Sequence, residues 1–329
     1  MKEKSISSVG EFAFLDIVRK NFAGSKKRRN IAVGIGDDCF CFKAGKETVC
    51  ITKDMLIEDV HFKKAWISPV NLGRKAVEIN ISDIASMGGV EPKYIFIGLG
   101  LPADIRLDYV KELYKGFKKA CDKYGVIIAG GDTVKSDKIV ISITVVGTGT
   151  GRIVKRSGAE NGDFIGVTNT FGDSGAGVSF LYKYGMKHKF SKDERQLIFK
   201  HNNPEARLKE ARKISKYATS MTDASDGIFI SVGLLAKESK KGADIFQERI
   251  PVSQQLKRAV PDKRKRMDFA LCGAEDFELV FTVQQSKAGI VKKLLPQVSY
   301  IGQINNSKKV RYFYNGKEQK TVYGGYKHF

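Results

Sequence analysis

The stretch Gly34-Ile35-Gly36-Asp37-Asp38 places two glycines and two adjacent carboxylates between apolar flanks, Ile31 to Val33 and Phe40. Glycines at this spacing predict a tight turn. The two aspartates have two physical uses there. They can bind a hard cation through oxygen ligands, or they can cap the turn with their side chains and stay solvated. Capping is the commoner use, so the stretch taken alone favours a capped turn.

Three later stretches repeat this combination of small residues beside an aspartate: Asn80 to Gly89, Gly130 to Thr133 and Thr222 to Gly227. The middle one follows an apolar strand pattern, Val126 to Ala129, and is interpreted as a turn. Its two glycines would let backbone N–H groups approach phosphate oxygens, and Asp132 would bring a divalent ion to the same place. An ordinary turn is the alternative. Neither a Walker A motif nor a dinucleotide fingerprint is present.

A long helix is predicted to begin at Pro69 and to end at Gly88-Gly89. Within it, Asn80 and Asp83 are three residues apart and share one face. A polar pair at this spacing is usually solvated. Here apolar residues surround the pair, so the helix is apolar nearly all round and the carboxylate of Asp83 would be costly to bury without a partner. In the stretch Thr222 to Gly227, the pattern alone predicts that Ser225 or Asp226 is the N-cap of a following helix.

The chain has 329 residues, which is enough for two domains with separate cores. The glycine-rich segment Gly147 to Gly151 is the predicted hinge, which divides the chain into residues 1–148 and 149–329. No apolar run is long enough for a transmembrane helix, and the N-terminus lacks the apolar region of a signal peptide. A cytoplasmic protein is therefore expected.

The five cysteines form no C-x-x-C pair. Their odd number and their spacing argue against a zinc site and against a disulfide framework. Cys39 and Cys41 alternate with Phe40 and Phe42, and they are interpreted as reduced thiols on a strand.

The formal net charge of +21 suggests a nucleic-acid partner as one alternative. The basic runs Lys26 to Arg29 and Lys263 to Arg266 are short and lie beside predicted loops. No aromatic stacking surface or nucleic-acid motif accompanies them, so specific nucleic-acid binding is not expected. Attraction of small anionic substrates is an equally good use of the charge.

The aspartates at turns, at strand ends and on the apolar helix would repel one another if they converged, unless two or more Mg²⁺ ions lay among them. They are Asp37, Asp38, Asp54, Asp83, Asp132, Asp223 and Asp226. Carboxylates, several metal ions and glycine turns are what phosphoryl transfer requires, because its catalysis is mostly positioning and charge neutralisation.

The successive motifs of the chain resemble those of the thiamine-monophosphate kinase family, in the same order and over nearly the whole chain. The family belongs with aminoimidazole ribonucleotide synthetase, selenophosphate synthetase and the hydrogenase-maturation dehydratase. The segments that carry the resemblance are Gly34 to Asp38, Thr52 to Asp54, Glu58 to Phe62, Asn80 to Gly89, Gly130 to Thr133, Arg156 to Ala159, Ser225 to Gly227, Glu275 to Glu278 and Gly325 to Phe329. Of these, the His61 segment and the closing Gly-Tyr-x-His-Phe point to the kinase.

The resemblance implies an α+β fold of two α/β-sandwich domains with mixed sheets, an active site in the interdomain cleft and a homodimer. It implies transfer of the ATP γ-phosphate directly to thiamine monophosphate, with Mg²⁺ and without a covalent phospho-enzyme. The implied metal residues are Asp38, Thr52, Lys53, Asp54, Asp83, Asp132, Asp223 and Asp226. The implied nucleotide residues are Tyr114, Gly131, Asp132, Arg156 and Ser225. The implied thiamine residues are His61, Glu275 and Tyr326, the last by stacking on the cationic ring.

Two positions depart from the family pattern. Lys53 stands where the family usually has Thr, and Ala274 stands where it usually has Gly. Because Thr52 and Asp54 are intact, we expect the residue at position 53 to bind metal through its backbone carbonyl.

Two alternatives to the kinase remain: a superfamily relative that uses ATP to activate another group, and, from a different class, a basic nucleic-acid-binding protein. By pattern alone, His61 beside Phe62 is a packing residue.

Overall fold

The computed structural model describes residue 8, residues 10–22 and residues 30–319. Tyr326, which the resemblance implies at the thiamine, lies outside these residues. In the sequence, Phe12, Leu15, Val18 and Phe22 recur at helical spacing and predict an amphipathic first helix. The structure has this helix, α1, over Glu11–Phe22. Within the described part of the chain, none of the helices has both the length and the apolar character needed to cross a membrane.

The first domain is a six-stranded mixed sheet with two helices packed on it. The strand order is β1-β2-β3-β6-β4-β5, in which only β4 and β5 run parallel. The strands are β1 (Ile31–Val33), β2 (Phe40–Ala44), β3 (Glu47–Ile57), β4 (Glu91–Leu101), β5 (Ile127–Lys135) and β6 (Val140–Gly149). The helices are α2 (Pro69–Ser86) and α3 (Leu107–Tyr124).

Helix α2 begins and is buried as its sequence predicts. The side chain of Ser68 accepts a hydrogen bond from the backbone N–H of Asn71, and Pro69 occupies the first turn, where its missing N–H costs nothing. The helix is buried on nearly every side, including the polar residues Lys75, Glu78 and Asn80. Because buried polar groups need partners, these side chains must reach neighbouring elements.

Strand β5 differs from the prediction. Gly130 to Thr133, interpreted above as a turn, lies inside the strand, and Gly131 and Asp132 are paired with Ile97 and Gly98 of β4. The local combination of glycine and aspartate resembles a turn, but the parallel ladder with β4 keeps the chain extended. All nine residues of β5 are exposed, and the strand forms an edge of the sheet.

The expectation of no disulfide is also wrong. Cys41 on β2 and Cys50 on β3 form a disulfide, with their Cα atoms 4.2 Å apart. The two residues lie directly opposite each other in the antiparallel ladder. Counting cysteines does not reveal such a pair, because the hairpin register brings together residues nine positions apart. Cys39, Cys121 and Cys272 are free thiols.

The second domain is a seven-stranded mixed sheet with the order β13-β12-β9-β11-β7-β10-β8, in which β9 and β12 run parallel. Its strands are β7 (Phe164–Val167), β8 (Ala218–Asp223), β9 (Gly242–Phe246), β10 (Leu279–Val283), β11 (Ser299–Asn305), β12 (Val310–Tyr314) and β13 (Lys317–Glu318). Its helices are α4 (Asp173–Tyr184), α5 (Lys192–Asn202), α6 (Leu208–Ile214), α7 (Ile228–Ser239), α8 (Gln254–Ala259), α9 (Lys263–Cys272) and α10 (Gln285–Leu294).

One continuous apolar core joins the two domains. It contains Leu72 and Ile84 of α2 together with Ile143 of the first sheet and Phe281 of the second. Ser82 of the same helix also donates a hydrogen bond to Asp223 at the end of β8. The fold is therefore the expected pair of mixed-sheet α/β domains, with α2 between them.

We predict that Gly116→Ala destabilises the protein by about 1–3 kcal/mol or more, because it overpacks a helix crossing. A Cβ atom at Gly116 of α3 would lie 2.1 Å from the carbonyl oxygen of Val70 on α2. The matched control is Gly289→Ala on α10, where a Cβ atom meets nothing within 4 Å. That change should stabilise the protein by about 0.5–1 kcal/mol through helix propensity. Urea unfolding measures both, and equal shifts of the same sign would contradict the close crossing.

Candidate active site

Three carboxylates from separate segments converge where the two domains meet. Asp38 comes from the glycine-rich turn, Asp83 from α2 and Asp223 from the end of β8. One oxygen of each lies within 4.8 Å of the others. Two of these residues belong to the first sheet domain and one to the second, so the cluster exists only when the domains are packed together.

In the turn that carries Asp38, the two adjacent aspartates have different roles. Asp37 Oδ1 accepts the backbone N–H of Asp38 at 3.0 Å, and its Oδ2 accepts the backbone N–H of Arg156 at 3.1 Å. Asp37 therefore holds the turn, and Asp38 reaches the cluster. Gly36 has φ +113°, which a residue with a side chain rarely adopts.

Asp38 is held by donors from both domains. It accepts hydrogen bonds from Ser86 Oγ at 2.8 Å and from Thr222 Oγ1 at 3.1 Å. The guanidinium of Arg156 also donates to it, and Arg156 Nε contacts Thr222 Oγ1 at 3.2 Å. Arg156, expected at the nucleotide, thus lies directly beside the carboxylate cluster.

Strand β3 presents Thr52 and Asp54 to the same side because side chains alternate along a strand. Thr52 Oγ1 donates to Asp83 Oδ2 at 2.5 Å, and the backbone N–H of Asp54 donates to Asn80 Oδ1 at 3.1 Å. Lys53 points to the opposite side, where its Nζ contacts Ser142 Oγ at 2.6 Å. The side chain of Lys53 therefore points away from the cluster.

The pKa values of the clustered carboxyl groups are raised. Burial, followed by the charges of neighbouring carboxylates, raises the pKa of Asp83 well above its usual value. Burial and the charge of Asp38 raise the pKa of Asp223 to about 8 and that of Asp54 to about 6. A cation among these oxygens would remove the repulsion. The donor set consists of oxygen atoms and suits a hard divalent ion such as Mg²⁺.

Ser225 and Asp226 follow β8 and lie next to the cluster. Helix α7 begins after Gly227 with no side-chain cap, so neither residue is the N-cap that pattern alone selects. The charge of Asp226 is one cause of the raised pKa of Asp54, which places the two carboxylates near each other. The carbonyl oxygen of Ser225 accepts the backbone N–H of Glu275 at 2.6 Å.

Tyr114, Gly131 and Asp132 lie elsewhere on the same chain. They line a groove of about 480 Å³ along β5. Gly131 lies in the same ladder row as Asp54, but two strands, β6 and β4, stand between β5 and β3. At about 4.8 Å per strand, the separation is roughly 14 Å. Within one chain, the structure does not bring Asp132 to the other expected metal residues.

The structure brings together two of the three residues expected at the thiamine. His61 lies near enough to Glu275 to be among the groups that influence its pKa. His61 Nδ1 accepts the backbone N–H of Ile57 at 3.0 Å. The third residue, Tyr326, lies outside the described residues.

Several side chains beside the site were not selected from the sequence. Ser82, Ser86 and Thr222 donate to the clustered carboxylates, and Lys75 contacts Glu275 Oε2 at 2.9 Å. The sequence does contain one indication that some of these side chains are buried beside the site. Ser82, Ser86 and Lys75 are polar residues on a helix that is apolar nearly all round, and such residues need buried partners.

Comparison with known proteins identifies the chain. The AIR synthase related protein family matches twice, with its N-terminal domain over residues 36–149 and its C-terminal domain over residues 160–315. A curated thiamine-monophosphate kinase from Aquifex aeolicus is 34% identical over 325 residues, which cover 98% of this chain and 99% of that protein. The chain belongs to the thiamine-monophosphate kinase family.

Other members of the family agree over similar lengths. The thiamine-monophosphate kinase of Bacillus subtilis is 32% identical, with 91% of this chain and 94% of that protein covered. A solved structure described as AaThiL complexed with AMPPCP and TMP matches with a TM-score of 0.89 at 34% identity and covers 100% of both chains. The fold of the kinase family is thus shared from end to end.

We predict opposite effects of Asp83→Asn with and without metal. In chelator, the folded-state pKa of Asp83 is raised, so its ionisation costs stability as pH rises above the unfolded value near 4. The variant should therefore be the more stable protein at pH 8, by on the order of 1–3 kcal/mol, and the difference should vanish toward pH 4. With excess Mg²⁺, the wild type should gain stability and the variant should gain less.

The matched control is Asp122→Asn on α3, an exposed carboxylate paired with Lys118 at 2.7 Å. Its melting temperature should rise with Mg²⁺ as much as that of the wild type, because the cluster of Asp38, Asp83 and Asp223 is intact. Thermal melts at pH 5 and pH 8, with EDTA or with MgCl₂, measure all of these effects. A wild-type melting temperature that is the same in both solutions would contradict the metal site.

Proposed function

We propose that this protein transfers the γ-phosphate of ATP to the phosphate of thiamine monophosphate and releases thiamine diphosphate and ADP. The observation that carries the proposal is the convergence of carboxylates between two domains whose fold matches, over its full length, a relative solved with an ATP analogue and TMP. The net charge of +21 would attract both anionic substrates. We place the division between the two domains at residues 148 and 149.

Mg²⁺ ions bound to the carboxylates would neutralise the phosphates of both substrates. The residues that would hold them are Asp38, Thr52, Lys53 through its backbone carbonyl, Asp54, Asp83, Asp132, Asp223 and Asp226. The acceptor is already an anionic phosphate oxygen and needs no general base. The protein therefore supplies alignment for a direct in-line transfer, and no side chain forms a covalent intermediate.

The remaining groups would orient the two substrates. Arg156 and Ser225 would contact the nucleotide phosphates at the cluster, while Tyr114 and Gly131 would contact the nucleotide in the groove of β5. His61 and Glu275 would hold the thiamine, and Tyr326 would stack on its cationic ring.

We also propose a homodimer formed through the outer face and the β5 edge of the first sheet. Large apolar side chains are exposed there, among them Ile127 at 60%, Val134 at 57% and Phe96 at 44%. An exposed apolar edge strand is a pairing surface. A partner chain across this face would bring Asp132 toward the cluster of the other chain, which accounts for its distance from the cluster of its own.

The reaction can be tested directly. Incubation with ATP, Mg²⁺ and thiamine monophosphate should yield thiamine diphosphate and ADP in equal amounts, resolved by chromatography. Asp223→Asn should lower the rate by at least about a hundredfold, because it removes a group that neutralises transferring charge. Asp122→Asn should be unaffected. ADP formation that does not depend on thiamine monophosphate would refute the assignment of the acceptor.

The shared site is tested by mixing two inactive variants. Asp132→Asn and Asp223→Asn should each be inactive alone. In a mixed dimer, one of the two sites would combine the intact Asp223 of one chain with the intact Asp132 of the other, so activity should return. Dimers exchanged by mild denaturation and refolding, and purified through two different tags, should recover about half of the wild-type rate. No recovery in a verified mixed dimer would place both residues in one chain's site.

A further inference from the structure

Lys75 is an unusual residue for the middle of α2. Its side chain is 1% exposed, and it is among the largest fully buried side chains of the described chain. Its Nζ lies 2.9 Å from Glu275 Oε2, across the boundary between the two domains. A buried ammonium group is costly unless it is paired, so this contact accounts for the tolerance of Lys75 at that position.

The backbone of Glu275 is fixed independently of its side chain. The residue has φ +65°, in the left-handed region that non-glycine residues rarely adopt. Its N–H donates to the carbonyl oxygen of Ser225, and the next residue but one, Phe277, donates to that of Ala224 at 3.1 Å. Between them, the carboxylate of Asp276 accepts the backbone N–H of Gly172 at 2.7 Å. The loop is therefore anchored, and what remains to be set is the direction of the Glu275 carboxylate.

Two buried groups meet the same oxygen of that carboxylate. Besides Lys75, His201 Nδ1 lies 3.2 Å from Glu275 Oε2 and 3.0 Å from Ser174 Oγ. Burial and the charge of Lys75 lower the pKa of His201 to about 3, so the imidazole is neutral at pH 7. The charge of Glu275 is thus balanced by Lys75 and not by His201.

The result is a carboxylate that stays ionised although most of its side chain is buried. Burial alone would raise the pKa of Glu275, but the charge of Lys75 and its hydrogen bond lower it below the usual value. Both contacts use Oε2, and the side chain remains 20% exposed. Oε1 is therefore the oxygen that a ligand can reach, and it carries negative charge toward that ligand.

We infer that Lys75 is a positioning residue that sets the affinity for the cationic, amino-bearing ring system of the phosphate acceptor by orienting Glu275. The inference rests on the proposed function, which makes thiamine monophosphate that acceptor. Lys75 does not touch the acceptor, and its own positive charge would repel it. It acts by holding Oε2 so that Oε1 meets the ligand as an ionised, fixed acceptor of hydrogen bonds.

The test compares four proteins by calorimetric binding of thiamine monophosphate and of AMPPCP, each with Mg²⁺: wild type, Lys75→Met, Glu275→Gln and the double variant. Both single changes should weaken thiamine monophosphate by about tenfold and leave AMPPCP within about twofold. The double variant should bind like Glu275→Gln alone, because Lys75 acts through Glu275. In turnover, KM for thiamine monophosphate should rise while KM for ATP stays constant.

The matched control is Lys123→Met. Lys123, on α3, contacts the buried Glu78 of α2 at 2.9 Å. Glu78 lies one turn after Lys75 on that helix, and neither Lys123 nor Glu78 is part of the proposed site. This variant should lower the melting temperature without changing either affinity. Lys75→Gln is the second variant, because its amide can still donate to Glu275 and leaves fewer buried groups unsatisfied if Lys75→Met does not fold. It should weaken thiamine monophosphate in the same selective way.

Three outcomes would overturn the inference and leave the proposed function standing. Equal losses for thiamine monophosphate and AMPPCP in a folded Lys75 variant would show a general structural role. Additive losses in the double variant would show that Lys75 does not act through Glu275. Unchanged affinity in Lys75→Gln would show that the pair does not tune recognition. A wild-type protein that binds AMPPCP but not thiamine monophosphate would overturn the proposed function and the inference with it.

Discussion

Mutual repulsion among buried carboxylates is the constraint on which the rest of this structure depends. Asp38, Asp83 and Asp223 place oxygens within 4.8 Å of one another, although they are far apart along the chain. Most of the groups that donate to them are neutral hydroxyls, from Thr52, Ser82, Ser86 and Thr222, and one is the cation of Arg156. Hydrogen bonds stabilise the charged carboxylates without cancelling their charge, which leaves the cluster suited to cations.

Helix α2 is the element that makes this arrangement possible. It is buried between the two sheets, and its polar residues each contact a different part of the protein. Asn80 contacts β3, Ser82 and Ser86 donate to the carboxylates, and Lys75 contacts the carboxylate of Glu275. The carboxylate cluster and the side chain of Glu275 thus both depend on contacts with one helix. A change in its packing, as at the crossing with α3, would affect both.

The outer face of the first sheet has a different character from the cluster. The β5 edge is exposed along its length, carries apolar side chains and includes Gly131 and Asp132. Gly131 has a structural reason to lack a side chain, because a Cβ atom there would lie 1.9 Å from the carbonyl oxygen of Ile97. Strand β5 therefore pairs closely with β4 at Gly131, while the residues of β5 stay exposed at the edge of the sheet.

The sequence by itself determined the features that depend on neighbouring residues. Helical spacing and caps predicted α1 and the start of α2, and the ordered motifs predicted the fold class and the family, since such patterns need only local chemistry. Tertiary structure alone decided the pairing of Cys41 with Cys50, the extension of β5 through Gly131, the separation of Asp132 from the cluster and the contact of Lys75 with Glu275. Domain packing brings Lys75 to Glu275, 200 positions along the chain, and no local pattern records that these two residues will meet.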